Sequence, residues 1–166
     1  MIFIQLFYTP LLILSIRDFN LCYCKDSHCS NLQVPLIGLV MGDRGLISRV
    51  LCAKFGGYMT FGTLESGVVS APGQPSLKDL LHLYNFRALA PDTKVFGLIG
   101  KPVRQSKSPM LLNEAFKSVG FNGVYIILLV DDIANFLRTY SSTDFVGFRF
   151  QLLIRIFHFI IFRNRN

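Results

Sequence analysis

A chain of 166 residues is long enough for one ordinary domain or for parts of two. Its residues are 51% hydrophobic and 16% charged, and the apolar excess gathers at the two ends, MIFIQLFYTPLLILSI and LLIRIFHFIIF. The net charge of +7 does not point to nucleic acid: the last eighteen residues hold four arginines and no acid, and the middle shows no basic face interleaved with aromatics.

The N-terminal run lacks a basic leader and an A-x-A cleavage site, so it does not read as a signal peptide. Gln5 and Pro10 interrupt it and Arg17 and Asp18 close it, which makes it short for a membrane span. The C-terminal run carries Arg155 and His158, both costly in lipid. Cys22, Cys24 and Cys29 cluster with His28 in CYCKDSHC, but no second ligand pair follows. Free thiols fit this segment better than a metal site.

From residue 34 the texture changes. VPLIGLVMG is a continuous apolar run, the pattern of a strand buried on both faces. DRGLISRVLCAKFGG places Ile47, Val50 and Leu51 at helical spacing, with Gly56 and Gly57 as the stop. YMTFGTL reads as a second strand, and ESGVVSAPGQP as a loop. In SLKDLLHLYNF, Ser76 is a cap and Leu77, Leu80, Leu81 and Tyr84 form one helical face. RALAPDT is a short linker, after which the alternation restarts with the strand KVFGLIG. The helix after it sets Leu112, Ala115, Phe116 and Val119 on one face and ends at Gly120. GVYIILLV is a strand, DDIANFLRTYSS a helix with acids at its start, and FVGF the beginning of a third strand. Beyond Phe148 the pattern dissolves. Alternation of strands and helices predicts an α/β fold with a parallel sheet.

The loop between KVFGLIG and its helix is GKPVRQSKSP, with Ser106 and Ser108 flanking Lys107. Ser108 before Pro109 is a standard helix start, and capping alone accounts for it. Two hydroxyls at a helix mouth, beyond the carboxyl end of a strand, also suit a carboxylate. In SAPGQP, Ser70 and Gln74 sit where barrel enzymes carry ligand contacts, although an ordinary strand-to-helix loop has the same composition. Arg49 is either a surface charge or a guanidinium fork for a carboxylate. Asp43 and Glu65 are single loop carboxylates, and His82 and His158 have no nucleophile nearby.

Together these residues carry a resemblance. GDRGLISRVLCAKFGGYMTFGTLESGVVSAPGQPSLKDLLHLYNF resembles the end of a type I 3-dehydroquinate dehydratase, a (β/α)8 barrel. DTKVFGLIGKPVRQSKSPMLLNEAFKSVGFNGVYIILLVDDIANFLRTYSSTDFVGF resembles the beginning of a shikimate dehydrogenase. That order resembles the plant bifunctional dehydratase/shikimate dehydrogenase family of the shikimate pathway. The resemblance implies the last two βα units of the barrel over residues 33–90, and the first β-α-β-α-β of a substrate-binding domain over 93–148. Residues 1–32 and 149–166 fall outside it; the Phe, Ile, Leu and Asn bias of both ends fits read-through of non-coding sequence around a truncated piece.

The resemblance further implies that Arg49 binds the dehydroquinate carboxylate and that Ser70 and Gln74 belong to the loop closing over that substrate. It implies that Ser106 and Ser108 hold the shikimate carboxylate, and that retaining Ser108, where glycine goes with quinate, leans towards shikimate. The implied activities are dehydration of 3-dehydroquinate to 3-dehydroshikimate and NADPH-dependent reduction of the latter, with chloroplast localisation and small-molecule substrates as partners, not nucleic acid or membrane. No clear transit peptide is visible. The sequence departs from the pattern in three places. Neither catalytic lysine is present, no NADP-binding fingerprint follows, and Gln105 replaces the usual histidine. The isolated chain is therefore expected to be inactive. A non-catalytic shikimate- or quinate-binding module and a membrane-tethered interaction protein remain the alternatives.

Overall fold

The computed structural model describes residues 2–6, 36–64, 70–101, 103, 105–139, 145–151 and 158–161. The cysteine cluster at 22–29 and Glu65 lie outside them. Strand β1 (Ile2–Leu6) pairs in parallel with β2 (Leu36–Val40), the first apolar run of the central region. A 3-10 turn (Asp43–Gly45) leads into the short helix α1 (Leu46–Val50), whose Ile47 and Val50 are buried.

YMTFGTL is not a strand. Thr63 makes one isolated bridge to Ser76, and Tyr58, Met59, Phe61 and Leu64 are exposed. A strand persists only where a neighbour supplies its ladder bonds, and none of the described strands lies beside this segment. Ser76 caps the next helical segment as expected, its hydroxyl accepting the Asp79 N–H at 3.0 Å. The segment is π-helical over Asp79–Leu83. Leu80 and Tyr84 point inward, but Leu77 is exposed, because the wider turn rotates it off the buried stripe.

The second half is a four-stranded sheet in the order β4-β3-β5-β6, with β3 (Lys94–Gly100), β4 (Gly123–Leu129), β5 (Gly147–Gln151) and β6 (His158–Ile161). β3 pairs in parallel with β4 and β5, and β6 closes antiparallel on β5. Helices α2 (Ser108–Ser118) and α3 (Ile133–Thr139) make the two crossovers. The third strand thus runs past Phe148 to Gln151, and a further strand follows it.

Helix α2 lies over Phe96, Leu98, Tyr125, Ile127 and Leu129, bringing Leu112 and Phe116 to that face. Ala115 and Val119 are exposed, so the buried stripe is narrower than the expected one. Asn113 fixes the helix to β4: its side chain accepts the Tyr125 N–H at 2.7 Å and donates to the Tyr125 carbonyl at 2.9 Å.

On the opposite face the two halves share one core. Val40, Ile47, Val50, Leu51, Leu80 and Tyr84 pack with Val95, Ile99, Val124, Ile126, Leu128, Phe136, Phe145, Phe148 and Phe150. The expected linker is part of this body. Lys54 Nζ donates to the carbonyls of Pro91 and Thr93, at 2.8 and 3.0 Å, and Thr93 is buried with its hydroxyl on Asn122. Asp131 draws both halves together as well, pairing with Arg44 and with Lys101. The lone described cysteine, Cys52, is buried with its thiol donating to the Met59 carbonyl at 3.3 Å, and burial pushes that thiol up to about 11, which keeps it protonated and unreactive.

Candidate functional site

Strand order sets where a ligand can sit. The chain leaves β3 for β4 on one side and returns to place β5 on the other, so the order reverses between β3 and β5. In open α/β sheets the crevice at the carboxyl ends of such strands is the usual binding position. The loop after β3 carries Ser106 and Ser108 to that position.

The two serines are in contact, but Ser108 is not the cap. It is already the first residue of α2, and Lys107 precedes it without a capping side chain. The Ser106 hydroxyl accepts the Ser108 N–H at 3.3 Å and donates to Ser108 Oγ at 3.1 Å. Pro109 at the helix start removes one donor and fixes φ, which leaves the serine two residues before Ser108 to satisfy the first turn.

Ser106 opens onto a cleft of about 340 Å³ between the two halves. One wall is Val103, Ser106, Pro109, Ile127 and Leu129; the other includes Asp43, Gln74, Asp79 and Tyr84. Gln74 and Ser106, predicted from different motifs, therefore face one cavity. Ser70 donates to Gln74 Oε1 from its hydroxyl at 2.8 Å and from its backbone N–H at 3.2 Å, so the pair forms a closed loop. Ser70 itself is exposed and is not part of the cleft lining. The charges are unequal: Asp43 and Asp79 stand on the first-half wall, which disfavours an anion there. Burial and then the Asp79 carboxylate hold the Tyr84 phenol well above its ordinary pKa.

Gly73 anchors this loop. It sits at φ +75°, and a Cβ on it would collide with the backbone of Gly42, whose N–H donates to the Pro72 carbonyl at 2.9 Å. Alanine there meets both a left-handed backbone cost of about 1–2 kcal/mol and an overpacking cost of about 1–3 kcal/mol. We expect Gly73→Ala to lower the urea midpoint accordingly and to expose the Gly42 amide to exchange. An unchanged midpoint would show the loop to be loosely seated.

Arg49 is 1% exposed in the last turn of α1 and lies outside the cleft lining. Its Nη2 approaches Met41 Sδ at 3.8 Å, its Nε has no hydrogen-bond partner, and burial lowers its pKa from the usual arginine value. The surface-charge alternative is thereby excluded. Two residues escaped the sequence reading. Arg149 on β5 donates to Ser108 Oγ at 3.4 Å, and Tyr125 on β4 is 3% exposed with a hydroxyl that makes no hydrogen bond. Strand register could have found the first, because Arg149 is matched with Leu98 and so faces α2, while Phe148 and Phe150 face the shared core.

Residues 18–91 match the type I 3-dehydroquinase family, and residues 98–151 match the shikimate dehydrogenase substrate-binding domain. The bifunctional 3-dehydroquinate dehydratase/shikimate dehydrogenase of Arabidopsis thaliana, a chloroplastic protein, is 70% identical over 119 residues, which is 72% of this chain and 20% of that protein. The chain belongs to the bifunctional dehydratase/shikimate dehydrogenase family. A shikimate biosynthesis protein of Chlamydia pneumoniae, AroDE, is 33% identical over 70% of the chain and 24% of its own length. The chain thus spans about a fifth to a quarter of these relatives. Among solved structures, the dehydroquinate dehydratase and shikimate dehydrogenase part of S. pombe AroM shares 27% identity over 90% of this chain and 27% of that one, with a TM-score of 0.35.

The dehydrogenase family uses NADP, but the strand offers it no seat. A Cβ on Gly100 would meet the Gln151 carbonyl and the Val103 side chain, and one on Gly97 would meet Leu128 and Phe148. Both glycines pack against the chain itself, leaving no open backbone for a pyrophosphate. No helix among the described residues is long and apolar enough to cross a membrane, and no described group of three His, Cys, Asp or Glu residues could hold a metal ion.

Proposed function

We propose that this chain binds the carboxylate end of a cyclic polyhydroxy acid of the shikimate pathway in the cleft between its halves. The observation that carries the reading is the Ser106–Ser108 hydroxyl pair at the mouth of α2, whose Ser106 lines the same cavity as Gln74. On this reading residues 33–90 correspond to the last two βα units of a dehydratase barrel. From residue 93 the chain follows the first β-α-β-α-β of the dehydrogenase. The whole-protein activities are dehydration of 3-dehydroquinate and NADPH-dependent reduction of 3-dehydroshikimate, in the chloroplast as described for the Arabidopsis relative. Arg49 is the carboxylate partner on the dehydratase side, consistent with a buried guanidinium whose Nε is unpartnered. Ser70 and Gln74 form that side's closing loop. Binding without turnover is the favoured state of this chain, since the described lysines are exposed or engaged with backbone and carboxylate oxygens.

Shikimate added to isotopically labelled chain should shift the Ser106 and Ser108 amides, and the Ser106→Ala/Ser108→Ala double variant should not respond. Each lost bond to a charged group is worth about 1.5–3 kcal/mol, enough to remove millimolar binding. Identical shifts in both proteins would rule the clamp out.

A further inference from the structure

We propose that Arg149 turns the Ser106–Ser108 pair into a charged clamp, selecting ligands that carry a carboxylate over neutral analogues of the same shape. This rests on the reading of the serines as the ligand's anchor and adds the residue that supplies their charge.

The hydrogen-bond pattern around Ser108 assigns the part. Ser108 Oγ accepts from the Ser106 hydroxyl at 3.1 Å and from Arg149 Nη1 at 3.4 Å. A serine oxygen has two lone pairs and one proton. With both lone pairs occupied, the proton of Ser108 is left to donate outward, where an anion can receive it. The same guanidinium places a full positive charge behind that donor, and charge-assisted bonds are about twice as strong as neutral ones.

A second feature lies within reach of the same guanidinium. Tyr125 Oη is buried, and no donor or acceptor meets it with good geometry. Burial pushes this phenol above its ordinary pKa, while the charge and the hydrogen-bonding approach of the neighbouring Arg149 oppose the rise, so the two groups are close neighbours. A buried hydroxyl without a well-aligned partner costs stability and has a donor to offer a ligand oxygen. Register explains why three strands converge here: Arg149 is matched with Leu98 on β3, and Tyr125 with Phe96, so both side chains leave the sheet on the face that α2 covers. Ser106 is the member of the pair that lines the cleft, Ser108 and Arg149 follow it through the hydrogen bonds above, and the opposite wall bears Asp43 and Asp79.

The test is calorimetric or NMR titration of the full chain with shikimate and with its neutral methyl ester. Arg149→Met should weaken shikimate binding by at least about tenfold while leaving the ester within about twofold, and Arg149→Lys should recover part of the loss. In the unaltered chain shikimate affinity should fall with added salt and the ester's should not, a readout that holds even if Arg149→Met folds poorly. Three results would overturn the proposal. Shikimate affinity unchanged in Arg149→Met, with binding still lost in the double serine variant, removes the arginine and leaves the serine anchor standing. Tighter binding in Arg149→Met means that the arginine occupies the hydroxyls in the ligand's place. No saturable binding of shikimate by the unaltered chain removes both readings.

Discussion

Replacing Phe148 by alanine is expected to destabilise the chain by about 3–5 kcal/mol, and to do so in both halves at once. The ring is 1% exposed and packs edge-on against Phe136 at 5.4 Å and tilted against Phe145 at 4.8 Å. Its removal leaves a cavity that three rigid strands cannot collapse into. Domains of this size have only about 5–15 kcal/mol in hand, so the loss takes a large share of the total. The spread follows from the core. Leu51 and Val50 of the first half touch the same cluster as Val95, Ile126 and Phe148 of the second. Leu51→Ala, at about 2–5 kcal/mol, should therefore lower amide protection in β3 and β4 as well as in its own segment. Native-state hydrogen exchange on both variants checks this. Protection of residues 94–129 that is untouched by Leu51→Ala would show that the halves fold independently, as the barrel and dehydrogenase motifs taken separately suggest.

That shared core was not legible in the sequence, because its contacts join segments far apart in the chain and no local pattern encodes them. The legible parts were those in which periodicity and burial agree. LIGLV, KVFGLIG and GVYIILL are continuous apolar runs, and each is a parallel strand. YMTFGTL has the same composition and fails, since strand formation depends on a neighbour that local composition does not specify. The helix face of α2 is legible in part: Leu112 and Phe116 turn inward, whereas Ala115 and Val119 are exposed.

At the site, the serine pair was legible because a helix start in front of proline is a local motif. Which serine satisfies the first turn was not, since the answer depends on the φ that Pro109 imposes. Arg149 was hidden by its surroundings. The segment RFQLLIRIF reads as an apolar run, and only the ladder with β3 reveals Phe148, Arg149 and Phe150 alternating across two faces. Tyr125 looked like one more apolar strand residue until its hydroxyl was seen to lack a partner.

Assays for both family reactions are expected to stay at background with this chain. The dehydratase reaction requires a lysine that is neutral long enough to attack a carbonyl, which calls for a desolvated amine in a closed site. Each described lysine is placed otherwise. Lys54 is engaged with the Pro91 and Thr93 carbonyls. Lys101 is paired with Asp131. Lys78, Lys94, Lys107 and Lys117 are exposed to water. For the reduction, the cofactor would need a seat beside the serine clamp, and the glycines at the end of β3 are filled by Gln151, Val103, Leu128 and Phe148. Orientation of reactants can contribute about 7–11 kcal/mol, but only when both partners are held in attacking geometry. Binding one of them by its carboxylate provides none of that. The check is NADP reduction in the presence of shikimate, together with the absorbance of dehydroshikimate formed from dehydroquinate, in protein freed of host enzymes. Turnover that Arg49→Ala or Ser106→Ala abolishes would establish that the chain assembles a working site after all, and would turn the clamp from a binding device into part of a catalytic one.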